Sequence, residues 1–279
     1  MYVNSTPVKS GGGDSIKHLI PLLSLRTLNL KIIGGSIISN YGLKVGAKNI
    51  TSTILARNSS INLEKEISVG GLSFSQAIPM LDELSHTEIL IMYFGTSVGW
   101  PRISRKMENH LRPEMLTSTT FHIPLYKSII LSHRIKAKIR HLERNLLKLI
   151  LYPFGLYKPR HSLEDLPNLI KAIEHIADRK SCLIIWVQHN SLGYRRLWLE
   201  RHVYKRYYKE ILSELDKEKS PHFRILSPGK DFLVQENYSL DGVHLSELGH
   251  ERMGVMIDNE IEQALSEVRS YAKREAEQR

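Results

Sequence analysis

Asp241 and His244 stand three positions apart in the run Asp-Gly-Val-His-Leu-Ser, just ahead of the last helical stretch of the chain. On a turn, that spacing lets a carboxylate hold an imidazole in one tautomer while its other ring nitrogen takes a proton from a hydroxyl. Such a pair needs a serine, and Ser36 is a candidate: it follows Gly34 and Gly35 after an apolar run, with Ile37 and Ile38 leading into an expected helix. A hydroxyl at a strand-to-helix turn is exposed, and its own N–H lies near the positive end of the helix, where an oxyanion can be stabilised. Gly70 and Gly71, before Leu72 and Ser73, would let a second backbone amide come close to a substrate. Together these groups could carry out acyl transfer through a covalent serine, which needs neither metal nor cofactor. Taken singly, each signal also fits ordinary turn punctuation. Their positions at the ends of strands and ahead of a terminal helix give them weight.

The elements that must hold these residues alternate between strand-like and helix-like runs, the pattern of an α/β domain with a largely parallel, buried sheet. Strands are expected at Leu28 to Ile33, Ile61 to Ile67, Glu88 to Tyr93, Cys182 to Val187 and Phe223 to Leu226. Helices are expected at Phe74 to Leu84, Leu163 to Asp178 and Leu197 to Lys217, with a last one from near Ser246; Ser162 and Asp165 suggest a cap for the second of these. In such a sheet, ligands collect beyond the carboxyl ends of the strands, where Ser36, Gly71 and Asn190 all fall. The interval from about 100 to 180 is too long for one crossover helix and reads as an insertion within a domain spanning 27–270, flanked by a leader at 1–26 and a charged tail at 271–279. His250, six residues past His244, is expected to face elsewhere, and no metal site is expected with it.

Composition narrows the classes further. The 279 residues are 42% hydrophobic and 24% charged, which is ordinary for a globular protein and excludes a disordered or collagen-like chain. No apolar run approaches the roughly 18 to 20 residues of a membrane span. The single cysteine, Cys182, lies in an apolar run and suits a reducing compartment; with no sign of a signal peptide, a cytoplasmic protein is expected. The formal charge is +10, and most of it is concentrated between Lys127 and Arg160, where nine cations face one carboxylate, Glu143. Within that segment Ile135, Ile139, Leu142, Leu146 and Leu149 recur at spacings of three and four, marking a helix with one apolar and one basic face. Two readings follow: the apolar face packs on the protein's own domain, or the helix makes peripheral contact with an anionic membrane. No nucleic-acid module accompanies the charge.

The run from Asp241 through His244 to Gly249 and His250 resembles the last sequence block of the GDSL, or SGNH, hydrolase family, whose Asp-x-x-His supplies the catalytic acid and base. Ile33-Gly34-Gly35-Ser36-Ile37 is similar to the family's first block, Gly-Asp-Ser, with Gly35 in place of the aspartate. Gly71-Leu72-Ser73 is similar to the block whose glycine donates an oxyanion amide. Phe94-Gly95-Thr96-Ser97-Val98 stands where the family has Gly-x-Asn-Asp, so Ser97 replaces the oxyanion asparagine. The resemblance implies a three-layer α/β/α sandwich with a flavodoxin-like, five-stranded parallel sheet. It also implies a serine esterase in which Ser36 is the nucleophile, His244 the general base and Asp241 its orienting partner. The amides of Ser36 and Gly71, with Ser97, would form the oxyanion hole. The expected substrate is an acyl ester, such as an acetyl group on a carbohydrate; an O-acyltransferase with the same triad and a weakly active binding protein of the same fold are the alternatives. Asn190 could replace the missing asparagine, and Arg102, just past the third block, could bind an anionic part of the substrate. Gly13-Asp14-Ser15 spells the first block letter for letter, but no strand precedes it to hold Ser15 rigidly.

Overall fold

The computed structural model describes residues 27–36, 38, 43–44, 46–82, 87–94, 101–103, 146–159, 161–180, 182–188, 198–217, 222–239 and 244–277. Five parallel strands form one sheet: β1 (Leu28–Gly34), β2 (Ile61–Ser68), β3 (Ile89–Phe94), β6 (Leu183–Gln188) and β7 (Phe223–Leu226), in the order β2-β1-β3-β6-β7. β1 pairs with β2 on one side and β3 on the other, so the chain reverses its direction of travel across the sheet between β1 and β3. Beyond the carboxyl ends of those two strands lies the crevice that this doubly wound topology creates.

Alternate residues of each strand serve opposite faces, as the pleat requires. Ile89, Ile91 and Tyr93 of β3 enter one core with α1 (Ile50–Arg57) and α5 (Glu247–Glu277). Leu90, Met92 and Phe94 enter the other with α2 (Phe74–Asp82), α3 (Leu166–Lys180) and α4 (Trp198–Leu215). β3 and β6 are buried at every position, the continuous apolar pattern of central parallel strands. Tyr204, Tyr207 and Tyr208 pack in the second core, and Cys182 is buried there.

The helix expected after Ile37 and Ile38 falls mostly on residues outside the described ones. Ile38 lies in a turn, its N–H donating to the Gly35 carbonyl at 3.0 Å, and its buried side chain fills the space beside Gly34. The next helix is α1, started by a capping box in which Asn49 Oδ1 accepts from the Ser52 N–H and Ser52 Oγ accepts from the Asn49 N–H. α3 begins at Leu166 rather than Leu163, because Ser162 Oγ accepts from the Glu164 N–H in a turn that precedes the helix.

Between β3 and α3, a two-stranded antiparallel ribbon joins β4 (Pro101–Ile103) to β5 (Tyr157–Pro159). Residues 146–151 are helical and rest on α4 through Leu147 and Leu151, which pack with Tyr157, Leu199 and Val203. Lys148 Nζ lies 2.5 Å from Glu200 Oε1 and secures the same contact. No described helix is long and apolar enough to cross a membrane.

Candidate active site

The C-terminal end of β1 is tied down on both sides. The Gly35 N–H donates to the Tyr93 carbonyl at 3.1 Å, and the Val69 N–H donates to the Gly34 carbonyl at 2.9 Å. Ser68 Oγ donates to the Gly35 carbonyl at 3.2 Å. Gly34 is required by close approach: a Cβ there would stand 2.4 Å from Ile38 Cγ1 and 3.0 Å from the Tyr93 carbonyl oxygen. Ser36 therefore emerges from a rigid, crowded strand end into the crevice. The loop after β2 is held against the same end by Val69, and Gly71, with φ at +74°, occupies the left-handed region that a type II turn needs at its third residue. Ser73 then caps α2, its Oγ accepting from the Gln76 N–H while Gln76 Oε1 accepts from the Ser73 N–H.

The histidine comes from the other end of the chain. His244 sits in a short loop whose Tyr238 and Leu245 form an antiparallel bridge, with the Ser239 N–H donating to the His244 carbonyl at 2.8 Å. Ser246 caps α5, its Oγ accepting from the Gly249 N–H at 3.1 Å. Beneath the loop lies Asn237, fully buried at 0% exposure. Its Nδ2 donates to the Phe232 carbonyl at 2.7 Å, its Oδ1 accepts from Arg252 Nη1 at 2.9 Å, and its carbonyl accepts from the Ser246 N–H at 3.0 Å. Gly249 must be glycine, since a Cβ would fall 2.0 Å from the Asn237 carbonyl oxygen.

These two strand-end and helix-start assemblies bring His244 Nε2 to 3.1 Å from Ser36 Oγ, across 208 positions of sequence. That is hydrogen-bond distance between an imidazole nitrogen and a hydroxyl, in the crevice where the topology places ligands. With the neutral imidazole accepting, the hydroxyl can lose its proton to nitrogen as its oxygen bonds to an electrophile.

His250, six residues past His244, is buried in the fold. It is 1% exposed, neither ring nitrogen has a partner among the described residues, and its pKa is pushed down to about 4, first by burial and second by the nearby His244. Asn237 carries no motif that singles it out in the sequence, and nothing in the motif that ends at His250 announces its burial. Of the other residues expected at the site, Asp241, Ser97 and Asn190 lie outside the described residues, as does Ser15. Arg102 lies in β4, paired in register with Lys158 of β5. A separate cavity of about 460 Å³ between the ribbon and α4 is lined by Tyr152, Tyr157, Lys158, Arg206 and Tyr207, among others, and includes neither Ser36 nor His244.

No family model matches the sequence, and neither does any curated protein. Solved structures do. A lipase from a goat rumen metagenome superposes with a TM-score of 0.50 at 14% identity, over 83% of this chain and 96% of that one. A member of the lipolytic G-D-S-L family from Veillonella parvula gives 0.46 at 11% identity, over 82% and 95% of the two chains. A psychrotrophic esterase from a Pseudoalteromonas species gives 0.48 at 8% identity, over 85% and 98%. Structural neighbours across most of the chain are thus lipolytic enzymes and esterases, and the first of these comparisons establishes a shared α/β fold.

Proposed function

We propose that this SGNH-fold chain is a serine esterase whose nucleophile is Ser36 and whose general base is His244. The observation that carries the proposal is the 3.1 Å approach of His244 Nε2 to Ser36 Oγ at the switch point of the sheet. In the proposed reaction Ser36 Oγ attacks the ester carbonyl carbon while Nε2 takes the hydroxyl proton. The tetrahedral intermediate collapses, the alkoxide leaving with the proton held on His244. Water then attacks the acyl-serine with His244 again as base, and the second collapse releases the carboxylic acid and returns the proton to Ser36. Asp241 is assigned to orient His244 through its other ring nitrogen. The oxyanion would be met by the amides of Ser36 and Gly71, with Ser97 adding a hydroxyl in place of the family's asparagine. Loss of one oxyanion donor costs about 100-fold to 1,000-fold in other acyl-transfer enzymes, so turnover slower than that of enzymes with the asparagine is expected. The family resemblance extends the proposal to acyl groups as small as acetyl, carried on a carbohydrate.

A fluorophosphonate probe tests the assignment directly. Labelling of the wild-type chain that is lost in Ser36→Ala and strongly slowed in His244→Ala, but kept in Ser15→Ala, supports it. Undiminished labelling of Ser36→Ala assigns the nucleophile elsewhere, and no labelling of the wild type at all points to a binding protein on an enzyme fold.

A further inference from the structure

The helical stretch 146–151 has the sequence Leu-Leu-Lys-Leu-Ile-Leu, apolar at every position except Lys148. A surface helix of a globular protein keeps one apolar stripe and turns it inward. Here the inward side is already supplied by Leu147 and Leu151. Leu146, Leu149 and Ile150 are left outward at 51%, 48% and 60% exposure, followed by Phe154 at 74% in the next turn. Leu146 and Leu149 belong to the stripe that begins at Ile135 in the sequence, and they point to solvent rather than into the domain. At the end of the basic segment that the structure describes, self-packing of that stripe is therefore not what happens. The helix itself is held firmly by its inner face and by Lys148 on Glu200, so the outer side chains are presented on a fixed platform.

Exposed cations stand beside this apolar tip: Lys158 of β5 and Arg206 of α4 line a cavity together with Tyr152, Pro153 and Gly155. Among these, Arg206 is paired with Glu210. The segment from Lys127 to Arg160 carries nine cations against one carboxylate. A second copy of the same chain meeting this face would bring equal positive charge to it, which like-charge repulsion opposes. An anionic lipid surface supplies the opposite charge together with an apolar layer for Leu149, Ile150 and Phe154.

We propose that this tip is a membrane-docking surface: Leu146, Leu149, Ile150 and Phe154 enter the headgroup boundary of an anionic bilayer while Lys158 and Arg206 bind its lipid phosphates. The proposal is independent of the assignment of Ser36.

Co-sedimentation with vesicles of phosphatidylcholine alone, and of phosphatidylcholine mixed with phosphatidylglycerol, tests it. The full chain is expected to sediment with the mixed vesicles at low salt and to be released as salt rises. Burial of each large apolar side chain is worth roughly tenfold in partitioning, so Leu149→Ser with Ile150→Ser and Phe154→Ser is expected to weaken binding by about a hundredfold or more. The circular dichroism melt of that variant should be retained, because the three positions are exposed. A second variant, Lys158→Glu with Arg206→Glu, leaves the apolar tip intact and is expected to lose the preference for anionic vesicles. Three results would overturn the proposal: no sedimentation of the wild type with anionic vesicles at low salt, equal binding by wild type and the serine variant, or a lipid-free dimer that the serine variant converts to monomer.

Discussion

Acid should destabilise this protein through one identifiable imidazole. In the unfolded chain His250 titrates near its ordinary value of 6.5, whereas in the fold burial first, and then the neighbouring His244, hold its pKa at about 4. The unfolded form therefore takes up a proton before the folded form does. Stability is complete above about pH 6.5, declines as the pH falls towards 4, and loses no more through this group below that. The interval from 6.5 to about 4, at about 1.4 kcal/mol per pH unit, corresponds to about 3 kcal/mol, a large share of the 5 to 15 kcal/mol typical of a domain. Urea unfolding followed by circular dichroism, from about pH 7.5 to about pH 4.5, should be compared between wild type and His250→Leu. Groups that do not interact with His250 contribute equally in both proteins, so the difference between the two curves reports His250 together with its interaction with His244. It is expected to rise in favour of the leucine variant as the pH falls, with a slope approaching 1.4 kcal/mol per pH unit. Parallel curves would refute the reasoning, because they would mean that His250 can accept its proton in the fold without penalty.

Two substitutions probe the supports of the reactive pair. Asn237→Ala leaves the Phe232 carbonyl and the Arg252 guanidinium without their partner beneath the His244 loop. It should cost about 2 to 3 kcal/mol in urea unfolding and lower kcat on a p-nitrophenyl ester more than it raises KM. Gly34→Ala forces a Cβ against Ile38 and the Tyr93 carbonyl at the strand end that carries Ser36. Fluorophosphonate labelling should slow by about 100-fold, since misplacement of a reacting group by about 1 Å carries that penalty, while the circular dichroism spectrum stays that of a folded protein.

The sheet was legible because its strands announce themselves chemically. Ile-Leu-Ile-Met-Tyr-Phe and Leu-Ile-Ile-Trp-Val-Gln are continuous apolar runs bounded by polar residues, which only a doubly covered parallel sheet accommodates, and Phe223–Leu226 was bounded correctly at both ends. Ser36 could be preferred to Ser15 by the strand before it, a physical criterion that letter matching lacks. α1 was not legible from periodicity. Its Thr51, Ser52 and Thr53 are weak helix formers, and its start rests on the Asn49–Ser52 capping box. The apolar stripe in the basic segment was read correctly as helical at its described end, but no pattern in one sequence tells which side of such a helix meets the protein. The burial of Asn237 and His250 and the partners of Asn237 were illegible for a related reason: they arise only when residues 230–239 fold beneath α5.

α1, the helix that the periodicity missed, explains how two residues 208 positions apart meet so closely. α1 follows the Ser36 turn and α5 follows the His244 loop, and the two helices pack directly on one another. Gly254 lets them approach: a Cβ there would stand 2.7 Å from Thr53 Cβ and 3.0 Å from the Ile50 carbonyl oxygen. Arg57 Nε lies 2.8 Å from Asp258 Oδ2, Asn58 donates to Glu262, and Lys48 Nζ lies 2.8 Å from Glu251 Oε1. The exposed pair contributes little by itself, but the buried Asp258 fixes the axial register of one helix against the other. Ser36 and His244 are thus each held from two directions, by the sheet or the Asn237 knot on one side and by the α1–α5 contact on the other. A slip of one helical turn between α1 and α5, about 5.4 Å, would exceed the whole Ser36–His244 separation of 3.1 Å. The encounter of hydroxyl and imidazole therefore depends on a close helix contact as much as on the strand end that first drew notice to Ser36.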